Sequence, residues 1–336
     1  MATEALTRPG RLQTWLGIMR TCGAPDPTDL DPIGRWLLIS RACVQPMTLT
    51  AAAIAGLLAA RVPGVRWDLF ALSSVGIVVA HASNNMINDY FDHAAGLDSA
   101  AYPRTQYAPH PVEAGIVTRA GLRRGIMVAN SIDLVIMSLL VFERGWSIAA
   151  FALTGLFISV AYVAPPFRLK AKGLGEPSVF VIWGPLMVGG THLAATSTLP
   201  REVIYASVPY ALLVTTVLMG KHIDKLEWDR AEKVHTLPVL LGDGTSRRAT
   251  QLLFVGFYAA IGTLIAADVL SPWTAVALLG APTLVRVLRT YSKPRPDQPP
   301  ARYPLWPLWF GPWAFLHARR AGALFVLGLA IGALAS

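Results

Sequence analysis

Two stretches concentrate oxygen and charge within an otherwise apolar chain: 84-NNMINDYFDHAAGLD-98 and 220-GKHIDKLEWDRAEKVHTLPVLLG-242. In the first, Asn88 and Asp92 are four residues apart. That is about 40° around a helix, so both side chains point the same way. Asp98 follows Gly96, a residue that can end a helix and turn the chain back. Amide and carboxylate oxygens without thiolates or a histidine pair suit Mg2+ better than zinc, and Mg2+ favours one or two carboxylates plus substrate phosphates. The second stretch offers Asp224, Glu227 and Asp229 among Lys221, Lys225, Arg230 and Lys233. Two facing carboxylate sets ringed by bases describe a diphosphate site with its Mg2+, provided the fold brings them together.

What must position them is a set of membrane helices. The 336 residues are 54% hydrophobic and only 15% charged, with a mean hydropathy of +0.47. A soluble domain carries about a quarter charged residues. Nine apolar runs fall near 45–61, 69–89, 126–142, 147–164, 178–196, 203–220, 249–268, 272–288 and 321–335. Runs three and four, and seven and eight, are so close that they predict antiparallel helical hairpins. No ten-residue alternating pattern occurs, which argues against a membrane β-barrel. The reading is an all-α, polytopic membrane protein of about nine transmembrane helices, with residues 1–43 as a cytoplasmic N-terminal segment and 44–336 as one transmembrane domain.

The bases set the orientation. Of 29 Lys and Arg, only Arg61, Arg66, Arg144 and Arg201 fall on one face, and all others lie in the N-terminal segment and the loops of the opposite face. The positive-inside rule makes that basic face cytoplasmic, with the N-terminus inside and the C-terminus outside, in the cell membrane. The net charge of +9 is thus a topology signal. No basic helix with interleaved aromatics indicates nucleic acid as a partner. Residues 1–40 show no cleavable signal peptide. Leu12, Trp15, Leu16 and Met19 recur at helical spacing between Arg11 and Arg20, as in a helix lying on the interface or packed on the protein's own loops. Cys22 and Cys43 are expected as free thiols on the reducing side. The stretch 292-SKPRPDQPP-300 reads as a Pro-rich linker, and 305-LWPLWFGPWAF-315 as an aromatic belt segment without a regular helix.

Runs two and six both end inside, so the two acidic clusters share the cytoplasmic face. The loop 162-YVAPPFRLKAKGLGEPSVF-180 adds Arg168, Lys170 and Lys172, and 103-PRTQYAPHP-111 adds Arg104. Cations of this kind grip phosphate oxygens, and they also serve as ordinary positive-inside charges. Within the spans, Asn130 and Asp133 are costly in hydrocarbon unless they pair or face the interior. His81 and His192 read as satisfied interior histidines, and Gly184, Gly189 and Gly190 as close-packing positions. No HExxH, P-loop or nucleophile elbow is present.

Together these segments resemble the UbiA superfamily of intramembrane prenyltransferases. Asn88, Asp92 and Asp98 match its first motif, NxxxD followed by a further Asp. The pattern ND-Y-x-D-xxx-G-x-D and the loop Y-x-x-x-PFRLK-x-x-GLGE are similar to the branch acting on 1,4-dihydroxy-2-naphthoate in menaquinone biosynthesis. The resemblance spans about residues 35–335 and implies nine helices and Mg2+-dependent transfer of an isoprenyl chain from its diphosphate to an aromatic acceptor. It implies Asn88, Asp92, Asp224 and Asp229 as catalytic residues. Asn88, Asp92, Asp98, Asp224, Glu227 and Asp229 would form the metal set, with Arg104, Arg168, Lys170 and Lys221 on the diphosphate.

The second motif departs from the family's DxxxD. Asp224 and Asp229 are five apart, about 140° on a regular helix, and Gly220-Lys221 replace the usual asparagines. A π-bulge or an early helix end would repair the spacing, or Glu227 would substitute for one ligand. The altered motif leaves a membrane terpene cyclase as the alternative activity, with a non-enzymatic transporter or binding protein behind it.

Overall fold

The computed structural model describes residues 10–24, 26–96, 109–303 and 305–335. The described chain opens with α1 (Arg11–Thr21), α2 (Pro32–Ile39) and a 3-10 turn, Ala42–Val44, that leads into the first candidate span. The first half of the spanning region contains α3 (Gln45–Ala59), α4 (Trp67–Ala94), α5 (Arg119–Arg144) and α6 (Trp146–Val163). A fifth span is built from α7 (Gly175–Val181), a π-helical turn (Ile182–Leu186) and α8 (Met187–Thr196). Then come α9 (Arg201–Asp224), the short α10 (Leu226–Ala231) and α11 (Leu237–Leu241), and α12 (Asp243–Ala266). A 3-10 segment (Pro272–Gly280) runs directly into α13 (Ala281–Tyr291), and α14 (Phe310–Leu334) closes the chain.

Among the described residues, eight helical segments are long and apolar enough to cross a membrane, and no strand occurs. They are the first seven expected runs and the ninth. The eighth, 272–288, is divided between the 3-10 segment and α13. The hairpin expected between runs three and four is present: Gly145, at φ 84°, is the single residue between α5 and α6. That left-handed backbone is one a glycine adopts without a Cβ clash.

Two expectations are corrected. The belt segment 305–315 already contains the start of α14, because Pro312 is its third residue and the missing N–H there has no intrahelical partner to lose. Cys22 and Cys43 are joined as a disulfide with Cα atoms 5.3 Å apart, since the left-handed end of α1 returns onto the turn before α3. In a reducing compartment the same two residues are held as adjacent thiols.

The bundle centre is α9, packed by α12 and α14, with Leu213, Phe254, Phe257 and Phe325 fully or almost fully buried. Lipid is as apolar as leucine, so helix association here depends on close fit rather than escape from water. Gly220 shows the fit: a Cβ there would lie 2.9 Å from the backbone of Gly311 and 2.5 Å from the Tyr291 hydroxyl. This approach brings the start of α14 against the end of α9.

Outside the bundle, α1 buries Ile18 and leaves Leu12 and Met19 well exposed, an apolar edge suited to the interface. It is tied to α2 by Asp31, whose Oδ1 accepts from Gly34 N at 2.6 Å and Trp15 Nε1 at 3.0 Å. Those bonds, Gly34 first, hold the Asp31 carboxyl below its ordinary value. A lowered folded pKa gives stabilisation that is complete above about pH 4 and lost as pH falls through the lower folded value. Acid titration should therefore shift Trp15 fluorescence below about pH 4, and Asp31→Ala should abolish that transition while leaving the rest of the bundle's unfolding in place.

Candidate active site

A cavity of about 1070 Å³ opens between α4, α5, α6, the π turn and α9. Its wall follows α4 from Ser73 to Asp92, about 28 Å at 1.5 Å per residue, nearly a bilayer's hydrocarbon depth. The far part is mainly apolar, with Ile136 and Leu140 from α5, Phe151 and Leu156 from α6, and Trp183 from the π turn, interrupted by Asp133 of α5 beside Gly76. The end where α4 and α9 terminate is polar and charged. There Asn88, Asp89 and Asp92 meet Arg41, Lys170, Lys221, His222 and Lys225.

The helix α4 runs unbroken through Asn88 and Asp92, so both reach the cavity as their spacing requires. The Oδ1 of Asn88 is buried without a hydrogen-bond partner. Both oxygens of Asp92 accept from Lys170 Nζ, at 2.6 and 2.8 Å. Asp89 is fully buried; its Oδ1 pairs with the Arg41 guanidinium, and its carbonyl lies 3.2 Å from His110 Nε2. Asn85 Nδ2 donates to Ser40 O at 3.0 Å. These contacts fasten the end of α4 to the segment before α3. Asp98 and Arg104 lie outside the described residues.

The second motif is arranged differently from the sequence expectation. The helix α9 does end early, at Asp224, but the carboxylate turns away from the cavity. Its Oδ1 accepts from Phe310 N and its Oδ2 from Gly311 N, each at 2.8 Å. Asp224 thus caps α14, where carboxylate charge meets the unsatisfied amides and positive dipole end of a helix. Glu227 is solvent-facing and paired with Arg230. Asp229 is buried but does not line the cavity. The expected convergence of Asp224, Glu227 and Asp229 does not occur in this structure: on the cavity wall this stretch presents Lys221, His222 and Lys225. Arg168 is exposed at φ 46° and off the cavity wall, and Lys172 donates to Pro166 O at 3.2 Å. Among the described residues, no group of three or more His, Cys, Asp or Glu is placed to hold a metal ion.

Lys225, one turn beyond Lys221 and already part of the ring of bases read from the sequence, lines the cavity. Two features escaped the sequence reading. The π turn cannot be read from composition, yet it places Ile182, Trp183 and Leu186 on the cavity. His222 pairs through Nδ1 with Glu176 Oε1 at 2.7 Å, a contact between residues far apart in the chain. Other polar residues are accounted for structurally. Ser83 donates to Asn130 at 3.0 Å, Thr48 Oγ1 lies 2.7 Å from His81 Nδ1, and His192 bonds to the turn at Thr196–Thr198. Gly184 packs on Ser207 and Ala211 of α9, and Gly189 and Gly190 pack on Phe151.

The profile of the UbiA prenyltransferase family matches residues 49–316. Among curated relatives, a 2-carboxy-1,4-naphthoquinone phytyltransferase from Synechocystis is 25% identical over 264 residues, covering 76% of this chain and 80% of its own. A 1,4-dihydroxy-2-naphthoate octaprenyltransferase from Escherichia coli is 28% identical over 227 residues, covering 66% and 72%. Among solved structures, one of a digeranylgeranylglyceryl phosphate synthase superimposes with a TM-score of 0.56 at 16% identity, covering 90% of this chain and 98% of that one. A UbiA homolog from Archaeoglobus fulgidus bound to DMAPP and Mg2+ gives 0.55 at 15% identity, covering 87% and 99%. At these identities the structural likeness speaks for the fold.

The geometry separates two roles that the sequence motif merged. Asp224→Ala should destabilise the protein by about 3 kcal/mol, because two charge-assisted hydrogen bonds go and two amides are left buried. Glu227→Ala should stay within about 0.5 kcal/mol of wild type. Unfolding of the two variants in mixed detergent micelles, followed by circular dichroism, checks both.

Proposed function

Because the chain belongs to the UbiA prenyltransferase family, and is therefore a membrane prenyltransferase, we propose that it transfers an isoprenyl group from an allylic diphosphate to a hydroxylated naphthoate or closely related aromatic acceptor. One juxtaposition carries the reading: oxygen donors on α4 face three lysines across the mouth of a long apolar cavity. The acceptor class is supported by the naphthoate and naphthoquinone specificities in the names of the relatives. DMAPP and Mg2+ bound to the Archaeoglobus fulgidus homolog support the donor class and the metal.

The residues present fit Mg2+ on the α4 side. A buried amide oxygen without a partner stands one turn before a carboxylate, and hard oxygens of this kind complete their ion's shell with phosphates and water. Asn88 and Asp92 would hold the ion, with Asp98 following in the same motif. Bound there, Mg2+ supplies Lewis-acid neutralisation of phosphate charge. On the α9 side, Lys221 and Lys225 take the place of a second carboxylate pair and stabilise the departing diphosphate as point charges. Lys170, held by Asp92 in the structure, is positioned to pass to a phosphate oxygen once substrate enters.

The apolar wall then does the remaining work. It accepts the isoprenyl tail along α4 and keeps water from the electron-poor allylic carbon until the acceptor ring attacks. The π turn aims Trp183 at this volume, in keeping with the tendency of such turns to occur at functional sites. We place this mouth at the cytoplasmic face of the cell membrane, following the distribution of basic residues.

The test is product analysis with purified protein in nanodiscs, Mg2+, a series of geranyl to geranylgeranyl diphosphates, and a panel of aromatic acceptors. Prenylated acceptor should form only with both substrates and Mg2+. Asp92→Ala should lower kcat by at least about a hundredfold, as loss of a group acting on developing charge does. Lys225→Ala should raise the KM for the diphosphate about tenfold, roughly 1.4 kcal/mol. Cyclic hydrocarbon formed without acceptor would sink the transferase reading.

A further inference from the structure

Given acceptor prenylation as proposed above, we propose that His222, held by Glu176, is the group that receives the acceptor's hydroxyl proton as the ring attacks. Electrophilic prenylation of a hydroxylated ring needs such a group. As the ring carbon bonds to the allylic carbon, the hydroxyl oxygen becomes a carbonyl and its proton must leave.

His222 lies on the cavity wall between Lys221 and Lys225, the residues placed on the diphosphate, so it stands where donor and acceptor must meet. Both members of the pair are 2% exposed, and Nδ1 is 2.7 Å from Glu176 Oε1. The other oxygen, Oε2, is buried without a hydrogen-bond partner, so the imidazole is the carboxylate's one hydrogen-bonding commitment among the described residues. A carboxylate on Nδ1 fixes the tautomer with its proton there, which leaves the Nε2 lone pair as the ring's remaining acceptor. The carboxylate also stabilises the imidazolium that forms when Nε2 takes a proton.

The other carboxylates and the other histidine on the wall suit the task less well. Asp133 lies beside Gly76, twelve residues and about 18 Å along α4 from Asn88. Asp92 is engaged by Lys170, and Asp89 by Arg41. His81 also lines the cavity, but it is seven residues before Asn88, about 10 Å down the helix from the charged end. Its Nδ1 is shared with a Thr48 hydroxyl rather than a carboxylate.

The step balances within the proposed reaction. The allylic C–O bond breaks, and its electron pair leaves with the diphosphate. A ring π pair forms the new C–C bond, the O–H pair becomes the second bond of a carbonyl, and the proton goes to Nε2. The ring regains aromaticity when the attacked carbon gives up its former substituent, a proton or carbon dioxide, leaving the bonding pair behind, and the carbonyl oxygen takes a proton from water. The imidazolium, paired with the Glu176 carboxylate, returns its proton to water when products leave. Glu176 touches neither substrate and is a positioning residue.

The experiment uses the full chain in nanodiscs with two binding probes and one turnover assay. The probes are geranyl thiolodiphosphate, which does not ionise readily, and 1,4-dihydroxy-2-naphthoate compared with its dimethyl ether. In His222→Gln, thiolodiphosphate affinity should stay within about twofold, which also reports an intact fold. Dihydroxynaphthoate affinity should fall about tenfold while that of the ether is unchanged, because only the hydroxyl meets Nε2. The kcat should fall about a hundredfold, the range for loss of a general base. Glu176→Gln keeps the shape and should lower kcat about tenfold without moving the KM for the diphosphate, and it carries the test should His222→Gln fail to fold. Parallel loss of thiolodiphosphate binding in His222→Gln would assign the imidazole to phosphate and overturn the proposal. Unchanged kcat in either variant would overturn it as well. The binding comparison needs no turnover: a wild type that prenylates no hydroxylated acceptor defeats the function reading, while the hydroxyl-specific loss judges His222 separately.

Discussion

Two backbone amides at the start of α14 hold the carboxylate of Asp224, and this contact determines which side chains of the second motif reach the cavity. It depends on Gly220, whose missing Cβ lets the end of α9 approach the backbone of Gly311. With Asp224 committed to capping, the helix end turns Lys221, His222 and Lys225 toward the substrate volume. A carboxylate there would be an acidic partner for a metal; a lysine is a cation already in place. The same few residues therefore join two helices and choose the electrostatics of the site.

The consequence is a division of labour across the cavity mouth. The α4 side supplies oxygen, from Asn88 and Asp92, and the facing side supplies positive charge, from Lys170, Lys221 and Lys225. Under the proposed function, a diphosphate between them would meet both an ion site and ammonium groups, so its charge would be balanced from two directions. The Asp92–Lys170 pair, with contacts of 2.6 and 2.8 Å, shows that these halves are close enough to neutralise each other in the absence of substrate. Beyond the mouth, the apolar wall continues along most of α4. That combination of a charged entrance and a mainly apolar interior suits transfer of an isoprenyl group.

Much of this was legible in the sequence, and the failures have physical causes. Apolar runs gave the spans because a bilayer demands uninterrupted apolar helices, and the four-residue spacing of Asn88 and Asp92 gave a shared face because α4 stays regular through the motif. The eighth run was harder, since its first half forms a 3-10 segment. The capping contact of Asp224 was not legible because a capping carboxylate and a metal-binding one look alike in sequence; it depends on the position of α14, 86 residues away. The Glu176–His222 pair and the Cys22–Cys43 bridge depend on tertiary contact in the same way. The π turn leaves no compositional trace beyond Pro185 within a span.

The central proposal is that the first motif, and not the second, provides the metal-binding half of the site, and that the end of α9 meets the diphosphate with lysines. Anomalous diffraction from crystals grown with Mn2+ and geranyl thiolodiphosphate tests it most directly. The account predicts manganese bonded to Asn88 and Asp92, a diphosphate oxygen within hydrogen-bond distance of the Lys221 and Lys225 ammonium groups, and Asp224 still on the amides of Phe310 and Gly311. Manganese bonded to Asp224, with those amides released, would contradict it.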